Sequence, residues 1–443
     1  TTQFNQWIIA STPQGDNVLF PEATPGNTSL SFGANRAGLS WYVSDPSARD
    51  AVDNTDPYSR LIQYQDIFPN RQLTPFEQSS LRPLDVTFYP RDRGPYNFDL
   101  PDGYATSRGL NINGELNEPA TRWAGFMREL STNDFEAANI EFVEFWMLNP
   151  YMDKSDQSPV SDDGTMYIDL GSVSEDIMRD SRQFFENGLP TSNNPSATDT
   201  SAWGRIPVES PVVNAFDNDQ NNRVLQDLGL DGLNDDGERD FFSKWYDAIQ
   251  SSPLSANAKA AITDDPSNDN FVYFRDERFN NSPPGLLERY RRFNRQEGNS
   301  PVNQSNNLNP SATNYPDQED LNRDRSLNET EAYFRYKIHL AKTTLNGQDV
   351  IDENAPELKD LITSTVSFNK DGREFVWYRF KVPLDLQARE QIGGIQDFRS
   401  IRFVRMFWKG FTERTTFRFA TLELGRNQWR RFTQALPNVD PGE

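Results

Sequence analysis

The sequence predicts a mainly β protein with an α/loop insert: two jelly-roll-like, galactose-binding-like β-sandwiches flanking an acidic, partly helical middle. Three observations carry this expectation. Ile140–Leu148 (Ile-Glu-Phe-Val-Glu-Phe-Trp-Met-Leu) and Ile401–Lys409 (Ile-Arg-Phe-Val-Arg-Met-Phe-Trp-Lys) share an apolar-charged-apolar-apolar-charged opening. Both are β-branched or aromatic over most of their length, which suits a pleated, packed surface. Each is followed by a second run that closes on glycine, Thr165–Gly171 and Thr416–Gly425, so strand, loop, strand, glycine occurs twice. Between the two copies the chain turns polar and shows helical periodicity. Neither leading run alternates strictly, so each is expected as a central strand buried on much of both faces. Two related sandwiches, or two halves of one sandwich with a long insert, both accommodate the repeat.

Composition narrows the function. The 443 residues carry a formal net charge of −22, which opposes binding to nucleic-acid phosphates. The only histidine is His339, which argues against imidazole-built metal sites and His-based triads, and there is no cysteine, which removes disulfides and thiol chemistry. The 9 Trp, 15 Tyr and 31 Phe supply the large buried areas that a 35% hydrophobic content would otherwise lack. No apolar run approaches the ~18 residues of a membrane-spanning helix. Repeated ten-residue alternating segments of a transmembrane barrel are not evident either. The chain does not start with Met and is expected to be a piece of something longer, lying outside the membrane.

Residues 1–83 form a β/loop lead-in: Trp7–Ala10, Asn17–Phe20 and Gly38–Val43 are short apolar runs between Pro, Gly, Asn and Asp. The first sandwich is expected over 84–190. Its strands are Leu84–Tyr89, which stops at Pro90, then Thr121–Met127, Ile140–Leu148 and Met166–Leu170. A short helix should follow, with Ser174 as N-cap, Glu175 and Asp176 in the first turn, and an end at Gly188-Leu-Pro190. Residues 191–330 are the acidic insert, with an amphipathic helix over Glu238–Gln250 and a second around Leu286–Phe293. The second sandwich covers 331–433, with strands Ala332–Ala341, Leu361–Phe368, Phe375–Val382, Ile401–Trp408 and Phe417–Leu424. Residues 434–443 read as a tail.

Two insert loops have the spacing of calcium ligands. In Asp320–Glu331, oxygen side chains stand at loop positions 1, 3, 5 and 9 (Asp320, Asn322, Asp324, Asn328), with Ser326 between and Glu331 at position 12. Ca²⁺ is a hard ion taking six to eight oxygens, and a bidentate Glu at position 12 closes an EF-hand-type loop. Arg325 stands where that loop prefers glycine. In Asp227–Glu238, Asp227, Asp231, Asp235 and Glu238 take positions 1, 5, 9 and 12, with Gly232 at position 6; Asp217 or Asp219 could share the ion. Calcium is therefore the expected, structural cofactor. Asp264–Asp269 is a third acidic cluster, expected as a loop.

No catalytic constellation is evident, and the chain is not expected to be an enzyme. Glu141 and Glu144 differ in parity and point to opposite faces of a strand, a poor acid/base pair. Arg402 and Arg405 hold the matching positions in the second copy, which suits pairing between strands. Trp203, Trp377 and Trp429 are the aromatic candidates for a glycan surface. A calcium-dependent carbohydrate-binding or adhesive surface protein is the alternative function, and a sandwich-type glycan hydrolase or lyase a third.

Several strings resemble one family. Phe68-Pro-Asn-Arg71, Arg93-Gly-Pro-Tyr-Asn97, Asn133–Ile140, Phe185-Glu-Asn-Gly-Leu-Pro190, Trp203-Gly-Arg205, Gln226–Gly232, Glu297-Gly-Asn-Ser-Pro301 and Phe419–Leu424 are similar to the SprA/Sov family, in consistent order over most of the chain. These proteins form the outer-membrane translocon of the type IX secretion system in Bacteroidota and are needed for gliding in some members. The resemblance implies one non-barrel portion of a much larger single-chain barrel, placed at the cell outer membrane on the extracellular face as a cap over the pore. It also implies partners acting through the parent translocon: a PorV-type shuttle barrel, a plug protein and secreted cargo. Contact with the membrane would come only through the parent barrel.

Overall fold

The computed structural model describes residues 4–50, 56–74, 79–154, 156–192, 194–279, 285–300 and 315–426. Two six-stranded antiparallel sheets dominate. In chain order their strands are β1 (Ile8–Ile9), β2 (Ala37–Tyr42), β3 (Leu84–Arg93), β4 (Trp123–Glu129), β5 (Ile140–Leu148) and β6 (Gly164–Ser172). After the insert come β7 (Ala332–Leu340), β8 (Ile362–Lys370), β9 (Arg373–Pro383), β10 (Glu390–Ile392), β11 (Phe403–Lys409) and β12 (Thr415–Arg426). Sheet one runs β1-β4-β11-β6-β7-β10 and sheet two runs β8-β9-β5-β12-β3-β2.

Of the two arrangements that fit the repeat, the pairing shows one sandwich with an insert. β11 lies between β4 and β6, and β5 lies between β9 and β12, so strands from both sides of the insert alternate within each sheet. The stretches 84–190 and 331–433 are thus separate in sequence but not in packing. Ile9, Phe126, Ile168 and Met406 of sheet one share a core with Val86, Phe145, Phe417 and Phe419 of sheet two. Trp408 stacks on Phe417 across the layers at 5.2 Å. The outer face of sheet two is covered too: Trp146, Leu148 and Trp377 pack with Tyr42, Tyr58, Leu286 and Tyr290. Coverage of both faces is why the leading runs lack strict alternation. The insert emerges from a hairpin, because β6 and β7 pair along their whole length, from Ala332 opposite Ser172 to Leu340 opposite Gly164.

Register in sheet one is pinned by charge. Asp169 stands directly opposite Arg335 on one side and Arg405 on the other. All three are fully buried. Asp169 accepts from Arg335 Nε at 2.8 Å and from Arg405 Nη2 at 2.9 Å, and Glu331 accepts from Arg405 Nη1 at 2.9 Å. Asp85 and Arg418 repeat the device in sheet two, directly opposite one another at 2.7 Å.

Local expectations fail where side chains compete with the backbone. β3 does not stop at Pro90 but continues to Arg93. Its pairing with β2 slips there, Gly38 facing Tyr89 and Ala37 facing Arg93, so proline's missing N–H falls at an irregularity. The helix expected after Ser174 does not form. The N–H groups of Ile177 and Met178 donate instead to Glu319 Oε1, and those of Asp180 and Ser181 to the Asp176 carboxylate. Asn17–Phe20 is a turn, with Leu19 N–H on Asp16 Oδ1. The helix expected over Glu238–Gln250 is two, α1 (Asp235–Phe241) and α2 (Ser243–Ser251), broken at Phe242 (φ −89°, ψ 28°). The break buries Phe242, Trp245 and Ile249 while Phe241 stays exposed. A third helix, α3 (Ala256–Asp264), was not expected; its buried face is only Ala258 and Ile262. The second expected helix is short, α4 (Leu286–Tyr290). Trp429 and the 434–443 tail lie outside the described residues.

Asp169→Ala leaves two buried guanidinium groups without their shared partner, and a loss of about 3–5 kcal/mol is expected. Urea unfolding monitored by Trp fluorescence measures it, and a loss under about 1 kcal/mol would contradict the pinning role.

Candidate functional site

The two expected calcium loops fold differently. In the 320–331 loop, Asp320 Oδ1 and Oδ2 accept the N–H groups of Asp324 and Arg325 at 3.1 and 2.7 Å, and Arg325 takes φ +65° where glycine was expected. Asn322 Oδ1 accepts Asp324 N–H, and Asp324 Oδ1 accepts the N–H and hydroxyl of Ser326. The remaining positions turn elsewhere. Asn328 N–H donates to Glu175 Oε2, Asp324 pairs with Arg402, and Glu331 is engaged with Arg405 and Ser174 N–H. Among the described residues, Asp320, Asp324 and Glu331 do not converge on a common point.

In the 227–238 loop, three of the four acidic residues converge with the third acidic cluster. Oxygens of Asp231, Glu238 and Asp269 lie within 4.8 Å of one another, as do those of Asp235, Glu238 and Asp265. Asp227 turns away and accepts the N–H groups of Gly298 and Ser300. Asp217 and Asp219, offered as partners by the sequence, form their own turn, Asp219 N–H donating to Asp217 Oδ1. Their place is taken by Asp265 and Asp269, which sequence spacing treats as a loop. The signal was the Asp-Asp-Pro-Ser-Asn-Asp string itself, but nothing in the sequence shows which loop it would meet.

Ser267 holds the group together: its hydroxyl donates to Asp231 Oδ2 at 2.6 Å and its N–H to Glu238 Oε2 at 2.8 Å. The Arg93-Gly-Pro-Tyr-Asn97 string, which follows β3, docks against it. Tyr96 hydroxyl donates to Asp269 Oδ2 at 2.8 Å and accepts Leu230 N–H at 2.8 Å. Tyr96 N–H donates to Ser267 O at 2.7 Å. Beside it, Phe98 packs edge-on to Trp245 and against Phe242, and Trp245 Nε1–H donates to Asp99 O. The acidic group therefore sits at the seam between insert and sandwich.

Asp231, Glu238 and Asp269 are fully buried. Burial, and then mutual repulsion, hold all three carboxyls above the ordinary range, Glu238 at about 10. Burial also raises Glu297 to about 8, and Glu175, Asp176 and Asp317 to about 7. A cleft of 460 Å³ between Phe4, Trp7, Arg295 and Asn322 is not lined by the three central carboxylates.

The other sequence candidates have structural places. Glu144 pairs with Arg379 on the neighbouring strand at 2.8 Å, and Arg405 with Asp169, the inter-strand pairing expected for these positions. His339 faces Thr165 and Asp163. Trp203 and Trp377 are fully buried, so neither presents a ring to a sugar.

Residues 244–443 match the family model SprA_N, described as a motility related/secretion protein. That match supports membership of the SprA/Sov family. No curated protein matches the chain. The SprA match begins within α2 and includes β7–β12, whose partners from earlier in the chain are β3–β6. Half-sheets of this kind leave open edges and an uncovered core, so the SprA segment and the residues before it form one folding unit.

The raised carboxyls give stability a sign with pH. The folded chain keeps protons that the unfolded chain has released, so this stability is full below the ordinary carboxylate range and is lost as pH rises through about 7–8. In chelator, the urea midpoint should be higher at pH 5 than at pH 8; an equal or lower midpoint at pH 5 would refute this.

Proposed function

We propose that this chain is a non-enzymatic portion of the type IX outer-membrane translocon, lying outside the bilayer as a cap or vestibule wall on the extracellular face and serving export of folded cargo and gliding. The family match over 244–443, to a motility related/secretion protein, is the observation that carries the reading. Two structural features support it. Both faces of sheet two are covered by protein and offer no lipid-facing band. No helix among the described residues is long and apolar enough to cross a membrane.

A cap must keep its shape while large cargo passes. The interleaved sheets meet that demand, because no strand group can peel away without opening a core shared with the other. The net charge of −22 would repel acidic cargo at short range and be screened beyond about 8 Å at physiological salt. In this reading the PorV-type shuttle barrel and the plug protein act through the parent barrel.

These 443 residues contain no cysteine, so a thiol introduced here tests placement when labelling is compared with the unsubstituted parent. Val18 is 96% exposed. With Val18→Cys in the full-length parent, a membrane-impermeant maleimide should label intact cells. Labelling only after the outer membrane is permeabilised would place the portion on the periplasmic side. Asp169→Ala in the same parent should leave cargo inside the cell, and undiminished export from a parent whose sandwich has demonstrably unfolded would remove the proposed role.

A further inference from the structure

We infer that Asp231, Glu238 and Asp269 hold a calcium ion that locks the insert onto the Arg93–Asp99 turn of the sandwich. The inference is independent of the translocon reading, since it concerns how this chain holds together.

Geometry comes first. Oxygens bound to one Ca²⁺ at about 2.4 Å lie at most about 4.8 Å apart. The three carboxylates each offer an oxygen within that limit of the other two. Each is also held in place by the fold: Asp231 accepts the Ser267 hydroxyl and Leu233 N–H, Glu238 accepts Ser267 N–H, and Asp269 accepts the Tyr96 hydroxyl. Their orientation is thus set by the fold before any ion arrives.

The oxygens left over are the second observation. Glu238 Oε1 and Asp269 Oδ1 have no hydrogen-bond partner, and both residues are fully buried. A buried charged acceptor without a partner costs more than any ordinary surface adjustment. Two such oxygens, on two residues of one cluster, mark a missing counter-charge.

The protein does not supply that counter-charge by contact. Around the three stand four more carboxylates, Asp227, Asp235, Asp265 and Glu297. The guanidinium groups nearby are Arg93, Arg205, Arg239, Arg292 and Arg295, of which Arg205 donates to Gly232 O and Arg239 to Asp236. Arg93 donates to the carbonyls of Asn97 and Pro266, and Arg292 pairs with Asp265. Arg295 makes no hydrogen bond to any of the three carboxylates, and its Nε and Nη1 have no partner. Carboxylates outnumber cations inside a dry seam, which a bound dication would correct.

The backbone leaves room for this arrangement. Gly229 takes φ +70°, and a Cβ there would meet Asp269 Oδ2 at 2.1 Å. Any side chain at 229 would push Asp269 out of the group.

The choice of ion follows from the ligands. All are carboxylate oxygens, and the only histidine pairs with Asp163 elsewhere, so softer metals find no nitrogen or sulfur here. Mg²⁺ demands near-ideal octahedral geometry and keeps several waters, whereas Ca²⁺ accepts an irregular, protein-enclosed set. Positions 5 and 12 of the 227–238 loop provide two of the ligands, and Asp269 from the facing loop takes the part an EF-hand gives to its own first residue.

The test uses the whole chain, stripped with chelator and returned to Ca²⁺. Titration calorimetry and native mass spectrometry should find one ion bound to the wild-type chain that Glu238→Gln and Asp269→Asn bind at least tenfold more weakly. At a hundredfold excess over the dissociation constant, Ca²⁺ should raise the wild-type melting temperature by about 3 °C. That rise should vanish in both variants and persist in Asp324→Asn, which changes the other loop. In chelator, both variants should melt no lower than wild type, because a neutral amide replaces a carboxyl whose charged form burial already disfavours; this shows that they fold. If the wild-type chain binds no Ca²⁺ at millimolar concentration, the inference fails whatever the variants do. A calcium-dependent rise that survives in folded E238Q and D269N overturns it equally, by moving the ion elsewhere.

Discussion

One carboxylate flanked by two guanidinium groups sets the register on which this fold depends. Asp169 sits on β6, and its partners Arg335 and Arg405 sit on β7 and β11, which the chain reaches only after the insert. Hydrophobic patterning alone would not hold these strands, because their two faces are both buried and a slip by one residue loses little apolar contact. A slip by one residue does, however, strand three charges without partners, which is far costlier. The aromatic rings of Phe20, Tyr167 and Phe407 lie beside Arg335 and shield it from water. Asp85 and Arg418 perform the same service in sheet two. Each ion pair joins a strand from before the insert to one from after it.

The repeat takes on meaning in this arrangement. β4, β5 and β6 form one series, and β9, β11 and β12 the other. In sheet one the order is first series, second, first; in sheet two it is second, first, second. β5 and β11, the two look-alike runs, each take the middle place of their trio, in opposite sheets. The two copies are therefore intertwined about an approximate twofold in topology. Such an arrangement makes each copy's core the other's, so neither can be removed as a module.

The insert is built on a different principle. It carries few regular elements and many carboxylates, and its backbone is held by side-chain acceptors: Glu319 under Ile177 and Met178, Glu175 under Leu321 and Asn328, Asp227 under Gly298 and Ser300. Acidic residues thus replace secondary structure as the means of satisfying buried N–H groups. Regions built this way respond to protons and cations more than to temperature-driven loss of apolar burial, and here that region is clamped to the sandwich by Tyr96 and Phe98.

The sequence alone determined the strands, since β-branched and aromatic runs such as Phe375–Val382 and Phe417–Leu424 have no other way to bury both faces. It also determined the family likeness, the lack of cysteine, the single histidine, and the inter-strand role of the paired Glu and Arg positions. What lay beyond it were relations between distant segments. Whether two strand groups closed separately or interleaved depended on contacts more than 150 residues apart, such as Asp169 with Arg335 at a separation of 166. Likewise, spacing nominated Asp231 and Glu238, but only folding brought Asp269 to them and drew Glu331 away to Arg405. Local spacing counts residues along one loop, whereas a buried charge is answered by whichever segment the tertiary packing delivers, and that is settled by the whole chain.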